Sequence, residues 1–311
     1  ILIVGAGGQI GSELVTYLRG LYGNGNVVAA DLRQSERLAA DGPFEILDAL
    51  DAERYAELVR KYGIDSIFNL AALLSAKGEA NPTLAWKINI GALTNSLEVA
   101  RQYNCALFTP SSIGAFGGDF PRDNTPQDTI MQPNTMYGVC KVTGELLSNY
   151  YHTRFGVDTR SVRFPGIISN VTLPGGGTTD YAVEIYYAAV KGERFVCPVS
   201  SNVYMDMMYM PDALRATVEL MEADPAKLKH RNSFNIASMS FTPEIIYAEI
   251  RKRLPEFEMV YDVDPVKEAI AESWPNKLDD TCAREEWGWK PQWDLSSMTD
   301  DMLRAVRAKN L

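Results

Sequence analysis

Tyr137 and Lys141 stand four residues apart in a stretch of helical character, which places a phenol and an ammonium on one face, within reach of one ligand. A free phenol, with a pKa of about 10, is a poor base at neutral pH. A neighbouring ammonium stabilises the phenolate, and so does a cationic ring beside it; together they bring a tyrosine toward the range in which it takes a proton from an alcohol. Alone, the pair reads equally well as an aromatic ring packed under a surface lysine. Ser111 and Ser112 tip the balance, because they follow the fifth strand-like run, on the side of a parallel sheet where ligands bind. Cys105, Cys140, Cys197 and Cys282 are scattered without CxxC spacing, so reduced thiols and no metal site are expected. An alcohol would then be activated by Tyr137 rather than by a metal. His152 and His230 show no partner spacing that suggests catalysis.

The run Gly5-Ala6-Gly7-Gly8-Gln9-Ile10-Gly11 lies between a first strand and an apolar-periodic helix that reaches about Gly20. Gly5 permits a tight turn, Gly8 lets the backbone approach a pyrophosphate, and Gly11 allows close helix packing, while the helix amino terminus presents N–H groups to phosphate. Asp31 closes the second strand twenty residues after Gly11, where a carboxylate accepts hydrogen bonds from the adenosine ribose. It repels a 2′-phosphate and so favours NAD over NADP, although Arg33, two residues on, is able to hold such a phosphate. Asp48, after the third strand, is placed to meet the adenine amino group, and serves equally as a solvated loop residue or as the cap of the helix over 51–62.

These groups need a scaffold that brings them together. Short β-branched runs at 1–4, 26–30, 44–46, 66–70, 106–110 and 159–164 alternate with helical patterns such as 51–62 and 83–103. That alternation predicts an α/β fold, a doubly wound parallel sheet with its ligand beyond the carboxyl ends of the strands. After Phe164 the rhythm changes: Pro174-Gly175-Gly176-Gly177 breaks the chain, a helix opens near Tyr181, and shorter pieces follow. Residues 1–165 are therefore expected to bind the dinucleotide. Residues 166–311 are expected to form a smaller, mainly substrate-binding C-terminal lobe, with segments near 203–240 (204–208 and 233–236) returning to the sheet edge.

A chain of 311 residues, 46% hydrophobic and 23% charged, is ample for such a core. Its net charge of -10 argues against a nucleic acid or an anionic membrane as partner. No apolar run approaches the roughly 20 residues that span a bilayer. Ile1 already lies in a strand-like run, so further residues are expected upstream and targeting is not read from this end.

Gly5-x-x-Gly8-x-x-Gly11, Asn69-Leu70-Ala71-Ala72, Ser111-Ser112 and Tyr137-Gly138-Val139-Cys140-Lys141 occur in order, with Trp287-Gly288-Trp289-Lys290-Pro291 late in the chain. With these motifs the sequence resembles the extended short-chain dehydrogenase/reductase superfamily over essentially its whole length. Leu73-Leu74-Ser75-Ala76 and residues 110–117, 165–169, 174–183 and 264–275 are most similar to its UDP-galactose-epimerase-like branch that oxidises L-threonine. The resemblance implies a Rossmann sheet with NAD as cofactor, Tyr137 as base, Lys141 also holding the nicotinamide ribose, and Ser112 hydrogen-bonded to the reacting oxygen. Ser111 would contact the same oxygen or cap a turn. The implied cofactor contacts are Gly5, Gly8, Gln9, Ile10, Gly11, Asp31, Leu32, Arg33, Asp48, Leu70, Ala71, Ala72, Asn89, Tyr137, Lys141 and Phe164.

The implied substrate is a small zwitterion whose 3-hydroxyl is oxidised, giving 2-amino-3-oxobutyrate. Ser75, Ser111, Ser112, Tyr137, Thr178, Thr179, Asp180 and Trp274 are the expected substrate contacts. Helix capping explains residues 178–180 as well, a loop hydroxyl explains Ser75, and an aromatic packed between lobes explains Trp274. The resemblance also implies a homodimer through the two long helices, and a mitochondrial protein if eukaryotic or a cytoplasmic one if bacterial. A nucleotide-sugar epimerase or dehydratase is the main alternative. Such relatives carry Arg-Asp-Tyr-Ile-His-Val-x-Asp where this chain has Met205-Asp206-Met207-Met208-Tyr209-Met210-Pro211-Asp212, so Met205 stands at the arginine position and Tyr209 at the histidine. A thioether cannot neutralise a diphosphate. The Met-rich stretch 205–210 reads as strand core. A non-catalytic NAD sensor is a further alternative, which the intact Ser112, Tyr137 and Lys141 oppose.

Overall fold

Leucine, isoleucine and valine fill positions 2–4 without alternation, as a strand buried on both faces requires. The computed structural model describes residues 1–173 and 177–309, with the side chains of 75–77 outside the description. Its strands are β1 (Leu2–Val4), β2 (Val28–Asp31), β3 (Phe44–Ile46), β4 (Ser66–Asn69), β5 (Ala106–Phe108), β6 (Ser111–Ser112), β7 (Thr159–Arg160), β8 (Val162–Phe164), β9 (Gly166–Ile168), β10 (Phe195–Cys197), β11 (Met205–Tyr209), β12 (Phe234–Asn235), β13 (Met239–Phe241) and β14 (Met259–Tyr261). The helices are α1 (Gln9–Tyr22), α2 (Glu36–Ala40), α3 (Ala52–Tyr62), α4 (Ser75–Ala80), α5 (Pro82–Tyr103), α6 (Met136–Phe155), α7 (Tyr181–Lys191), α8 (Met210–Glu222), α9 (Pro243–Arg251), α10 (Pro265–Glu272), α11 (Thr281–Trp287) and α12 (Leu295–Arg307). Among the described residues no helix is long and apolar enough to cross a membrane.

The expected doubly wound sheet is present. Six parallel strands run in the order β3-β2-β1-β4-β5-β7, so the winding reverses between β1 and β4, the point at which sheets of this kind bind ligands beyond the carboxyl ends of their strands. Helix signals were local enough to place most crossovers. Asp51 caps α3 by accepting the Arg54 N–H at 3.0 Å, and Gly63 ends it at φ 58. Asp48 is therefore not the cap; its carboxylate accepts the Leu50 N–H at 2.9 Å. Thr135 caps α6 through the Gly138 N–H at 3.1 Å, and Gly156, φ 71, ends it.

The described chain divides into two compact units. One comprises Ile1–Ala115, Pro133–Arg163 and Leu214–Phe234, and the other Phe116–Gln132, Phe164–Ala213 and Asn235–Leu311. Residues 116–132 fall in the second unit because their backbone is bonded there. The Thr125 N–H donates to the Lys277 carbonyl at 2.8 Å, and the Asp279 N–H to the Thr125 carbonyl at 2.9 Å. The expected strand 159–164 breaks at Ser161, giving β7 of the main sheet and β8 of a small sheet ordered β12-β8-β6. Residues 204–208 do not return to the edge of the six-stranded sheet: β11 lies between β9 and β13 in a three-stranded sheet of the second unit, all five of its residues buried. Asp212 anchors the late tryptophan-rich segment of that unit, accepting the backbone N–H of Gln292 and of Trp293 at 3.0–3.1 Å.

Asp206 on β11 is fully buried. One carboxylate oxygen accepts the Leu278 N–H at 2.8 Å, and the other has no partner among the described residues. Burial pushes its carboxyl up to about 8, with backbone hydrogen bonds to it and Lys277 opposing and Asp280 reinforcing the shift. In the unfolded chain an aspartate ionises near pH 4, so between about pH 4 and pH 8 the native state holds a proton that the unfolded state lacks. The stability this group contributes is greatest below about pH 4 and falls as pH rises to about 8. Asp206→Asn keeps a neutral acceptor. Its melting temperature should gain on that of the native protein from about pH 5 to pH 8 and level off above; a difference independent of pH over that span would contradict the assignment.

Candidate active site

Gly5, at φ 82, turns the chain out of β1. A Cβ there would lie 2.7 Å from the Ala71 nitrogen, so the turn passes against the end of β4 and only glycine fits. At Gly11 a Cβ would lie 2.3 Å from the Gly5 carbonyl oxygen, which lets α1 start close against that turn. No side chain caps α1 and no acid occupies its first turn, leaving the N–H groups around Gln9 and Ile10 available to an anion. Asp31 ends β2 with its carboxylate accepting the Gly7 N–H at 2.8 Å, and Leu32 and Arg33 beside it are exposed. An anion cradle followed by a carboxylate at the second strand end fits a dinucleotide with free ribose hydroxyls. Asp31→Ala should narrow the preference for NAD over NADP by about tenfold, the worth of a hydrogen bond to a charged group. Equilibrium titration of both cofactors checks this, and an unchanged ratio would place ribose recognition elsewhere.

A cleft lies beyond the ends of β4 and β5, lined by Leu70, Ala71, Ala72, Asn89, Pro110, Ser111, Cys140 and Lys141. Asn69, 3% exposed, also borders it, and its side-chain oxygen has no partner among the described residues. Asn89, expected at the cofactor, holds the wall: its amide accepts the Leu73 N–H at 2.6 Å and donates to the Leu73 carbonyl at 3.1 Å. Tyr137 lies in the first turn of α6 and Lys141 one turn on. The Lys141 Nζ donates to the Pro110 carbonyl at 2.6 Å and sits 5.3 Å from the centre of the Tyr137 ring. Ser112 Oγ accepts the Gly114 N–H at 3.1 Å. A Cβ on Gly114 would be 3.3 Å from the Tyr137 ring and 3.5 Å from Ser112 Oγ, so the glycine lets tyrosine and serine converge. The structure thus brings Ser112, Tyr137 and Lys141 together.

Ser111 has a buried partner that local sequence does not announce. It borders the cleft at 4% exposure, and its hydroxyl donates to Glu145 Oε1 at 2.6 Å. Glu145 in turn meets Arg163, an ion pair the sequence reading missed although Glu145 continues the Tyr137, Lys141 spacing by one more helical turn. Glu79 was missed too: its carboxylate accepts the Met136 N–H at 2.6 Å and docks α4 on the start of α6, beside Tyr137. Ser75 opens α4, and its side chain lies outside the described residues, as do Pro174, Gly175 and Gly176.

In the second unit Phe164 is buried at the end of β8. Thr178, Thr179 and Asp180 form a 3-10 turn leading into α7. Thr178 is buried, Thr179 packs where a Cβ on Gly166 would come within 2.7 Å, and the Asp180 carboxylate accepts the Gly177 N–H at 2.6 Å. Asp180 thus closes the 3-10 turn at Gly177, and its side chain makes no capping bond to α7. Trp274 packs its ring on the core of this unit, while its carbonyl accepts from Arg122 Nε at 3.0 Å.

Residues 1–237 match the NAD dependent epimerase/dehydratase family. A Staphylococcus aureus protein described as an uncharacterized epimerase/dehydratase is 56% identical over 312 residues, covering 100% of this chain and 97% of its own. The X-ray structure of L-threonine dehydrogenase from Clostridium difficile superimposes with a TM-score of 0.97 at 55% identity, over 99% of this chain and 97% of that one. A GalE-like L-threonine dehydrogenase from Cupriavidus necator, in its holo form, gives 0.96 at 50% identity, over 98% and 99%.

Proposed function

The chain belongs to the NAD dependent epimerase/dehydratase family with NAD as its cofactor, and from that premise we propose that it oxidises the 3-hydroxyl of L-threonine to 2-amino-3-oxobutyrate. NAD, when bound, supplies the hydride acceptor. The Gly5 to Gly11 turn and Asp31 would hold it. Ser112 Oγ, which accepts from Gly114, keeps its own hydrogen free to donate to the substrate oxygen. Tyr137 takes the hydroxyl proton as general base, and the Pro110 carbonyl holds the Lys141 ammonium beside its ring.

The observation that carries the choice of a small amino acid over a nucleotide sugar is the pair Met205 and Tyr209, both fully buried. Met205 offers no charge to a diphosphate, and the Tyr209 hydroxyl donates to Asp301 at 2.6 Å while accepting from Asn170 at 2.6 Å. The L-threonine dehydrogenases among the structural relatives support the same reading. NADH formation with L-threonine, assayed beside epimerisation of a UDP-sugar, tests it. Threonine oxidation alone is expected; sugar turnover without it overturns the proposal, and NAD binding with neither activity indicates a sensor. A homodimer through α5 and α6 belongs to the proposal, since Leu146 and Tyr150 on α6 are 64% and 53% exposed. Light scattering should return twice the chain mass, and the single-chain mass would remove the dimer.

A further inference from the structure

Glu145 lies at a junction of three elements. It follows Tyr137 and Lys141 at the same four-residue spacing on α6, so all three side chains leave one face of the helix. Its carboxylate is 2% exposed and meets the 1% exposed guanidinium of Arg163 on β8 twice: Nε to Oε1 at 3.0 Å and Nη2 to Oε2 at 2.7 Å. The same Oε1 accepts the Ser111 hydroxyl at 2.6 Å. One residue earlier, the Pro110 carbonyl accepts Lys141 Nζ at 2.6 Å. Two rungs therefore tie the segment 110–112 to α6, Lys141 to Pro110 and Glu145 to Ser111, and Arg163 fixes the carboxylate of the second.

Side chains alternate along a strand, so a Ser111 hydroxyl held on one face of β6 turns Ser112 to the other, toward the turn at Gly114 against which the Tyr137 ring of α6 lies. We propose that Ser111, Glu145 and Arg163 are positioning residues, which act through β6 to set Ser112 and the lysine-bound carbonyl against Tyr137. This rests on the reading of Ser112, Tyr137 and Lys141 as the reacting set. It gives Ser111 a role distinct from touching the substrate, and it assigns a function to a buried ion pair that the proton transfer itself does not use. Loss of the hydroxyl frees β6 to shift, and errors of this kind in aligning reacting groups lower turnover more than binding.

Ser111→Ala is the informative variant, because it leaves the Glu145–Arg163 pair whole; removing either charge would leave its partner buried and alone and endanger the fold. With L-threonine, kcat is expected to fall about tenfold with KM nearly constant while the melting temperature drops modestly, and Ser111→Thr should recover most of both losses. A raised KM at unchanged kcat would make Ser111 a substrate contact and overturn the proposal, as would wild-type kinetics in Ser111→Ala. A native protein inactive on L-threonine sinks the functional reading alone. The positioning claim is then decided by a crystal structure of Ser111→Ala, in which the Lys141 to Pro110 contact should lengthen beyond about 3.5 Å, the limit of a hydrogen bond. An unmoved segment 110–112 would overturn it.

Discussion

Tyr137→Phe should lower turnover of L-threonine by about a hundredfold to ten-thousandfold, the usual contribution of a positioned general base, and leave NAD affinity nearly unchanged. The ring that packs by Gly114 and under Lys141 survives the change, so α6 keeps its place and only the proton acceptor is lost. Ser112 and Lys141 remain, but neither replaces it: a serine hydroxyl is a far weaker base than a phenolate, and the Lys141 ammonium has no lone pair while it donates to Pro110. Steady-state kinetics with a separate cofactor titration distinguish the two effects. Activity close to that of the native protein would remove Tyr137 from the mechanism. Loss of cofactor affinity in proportion to turnover would make its role one of binding.

Gly11→Ala is the second large effect expected. The added methyl would sit 2.3 Å from the Gly5 oxygen and 3.0 Å from the Ala6 Cα, both backbone atoms of the turn that must face the pyrophosphate. Helix α1 has to move out, and its first-turn N–H groups move with it. Overpacking of this kind costs about 1–3 kcal/mol, so NAD affinity should drop by about tenfold to a hundredfold and the melting temperature should fall. Gly20 provides the control within the same helix, because a Cβ there meets nothing within 4 Å. Gly20→Ala should be neutral or slightly stabilising, as alanine is the better helix former. Calorimetric titration of both variants checks the contrast; equal affinities would mean that α1 is not held to the turn as closely as its geometry requires.

The parts of the site that could be read from sequence are those that one local unit specifies. The glycine spacing, the helix that follows and Asp31 twenty residues later all belong to one βαβ segment, so their geometry follows from chain connectivity. Tyr137 and Lys141 are fixed relative to each other by the helical repeat alone. The Ser111 hydrogen bond was not legible because its neighbours in space, Glu145 and Arg163, lie 34 and 52 residues away, and nothing local marks a serine that is bonded to a buried carboxylate. Asn89 lines the cleft, and its bonds to the Leu73 backbone were likewise not legible in the local sequence. In the fold, the split of residues 159–164 depends on a partner: the Ser161 carbonyl accepts the Phe234 N–H at 2.9 Å, which draws the second half of the run into another sheet. Residues 116–132 carry no composition signal of the second unit; their backbone bonds to residues 276–279, and the Arg122 side-chain bond to the Trp274 carbonyl, put them there.

The most direct test follows the hydrogen on C3 of the substrate. L-Threonine deuterated at that carbon, incubated with the protein and NAD, should yield reduced cofactor carrying the deuterium and 2-amino-3-oxobutyrate without it, while Tyr137→Phe slows the transfer. Reduced cofactor free of label, or deuterium retained in unreacted threonine while a UDP-sugar is epimerised, would contradict threonine oxidation at this site.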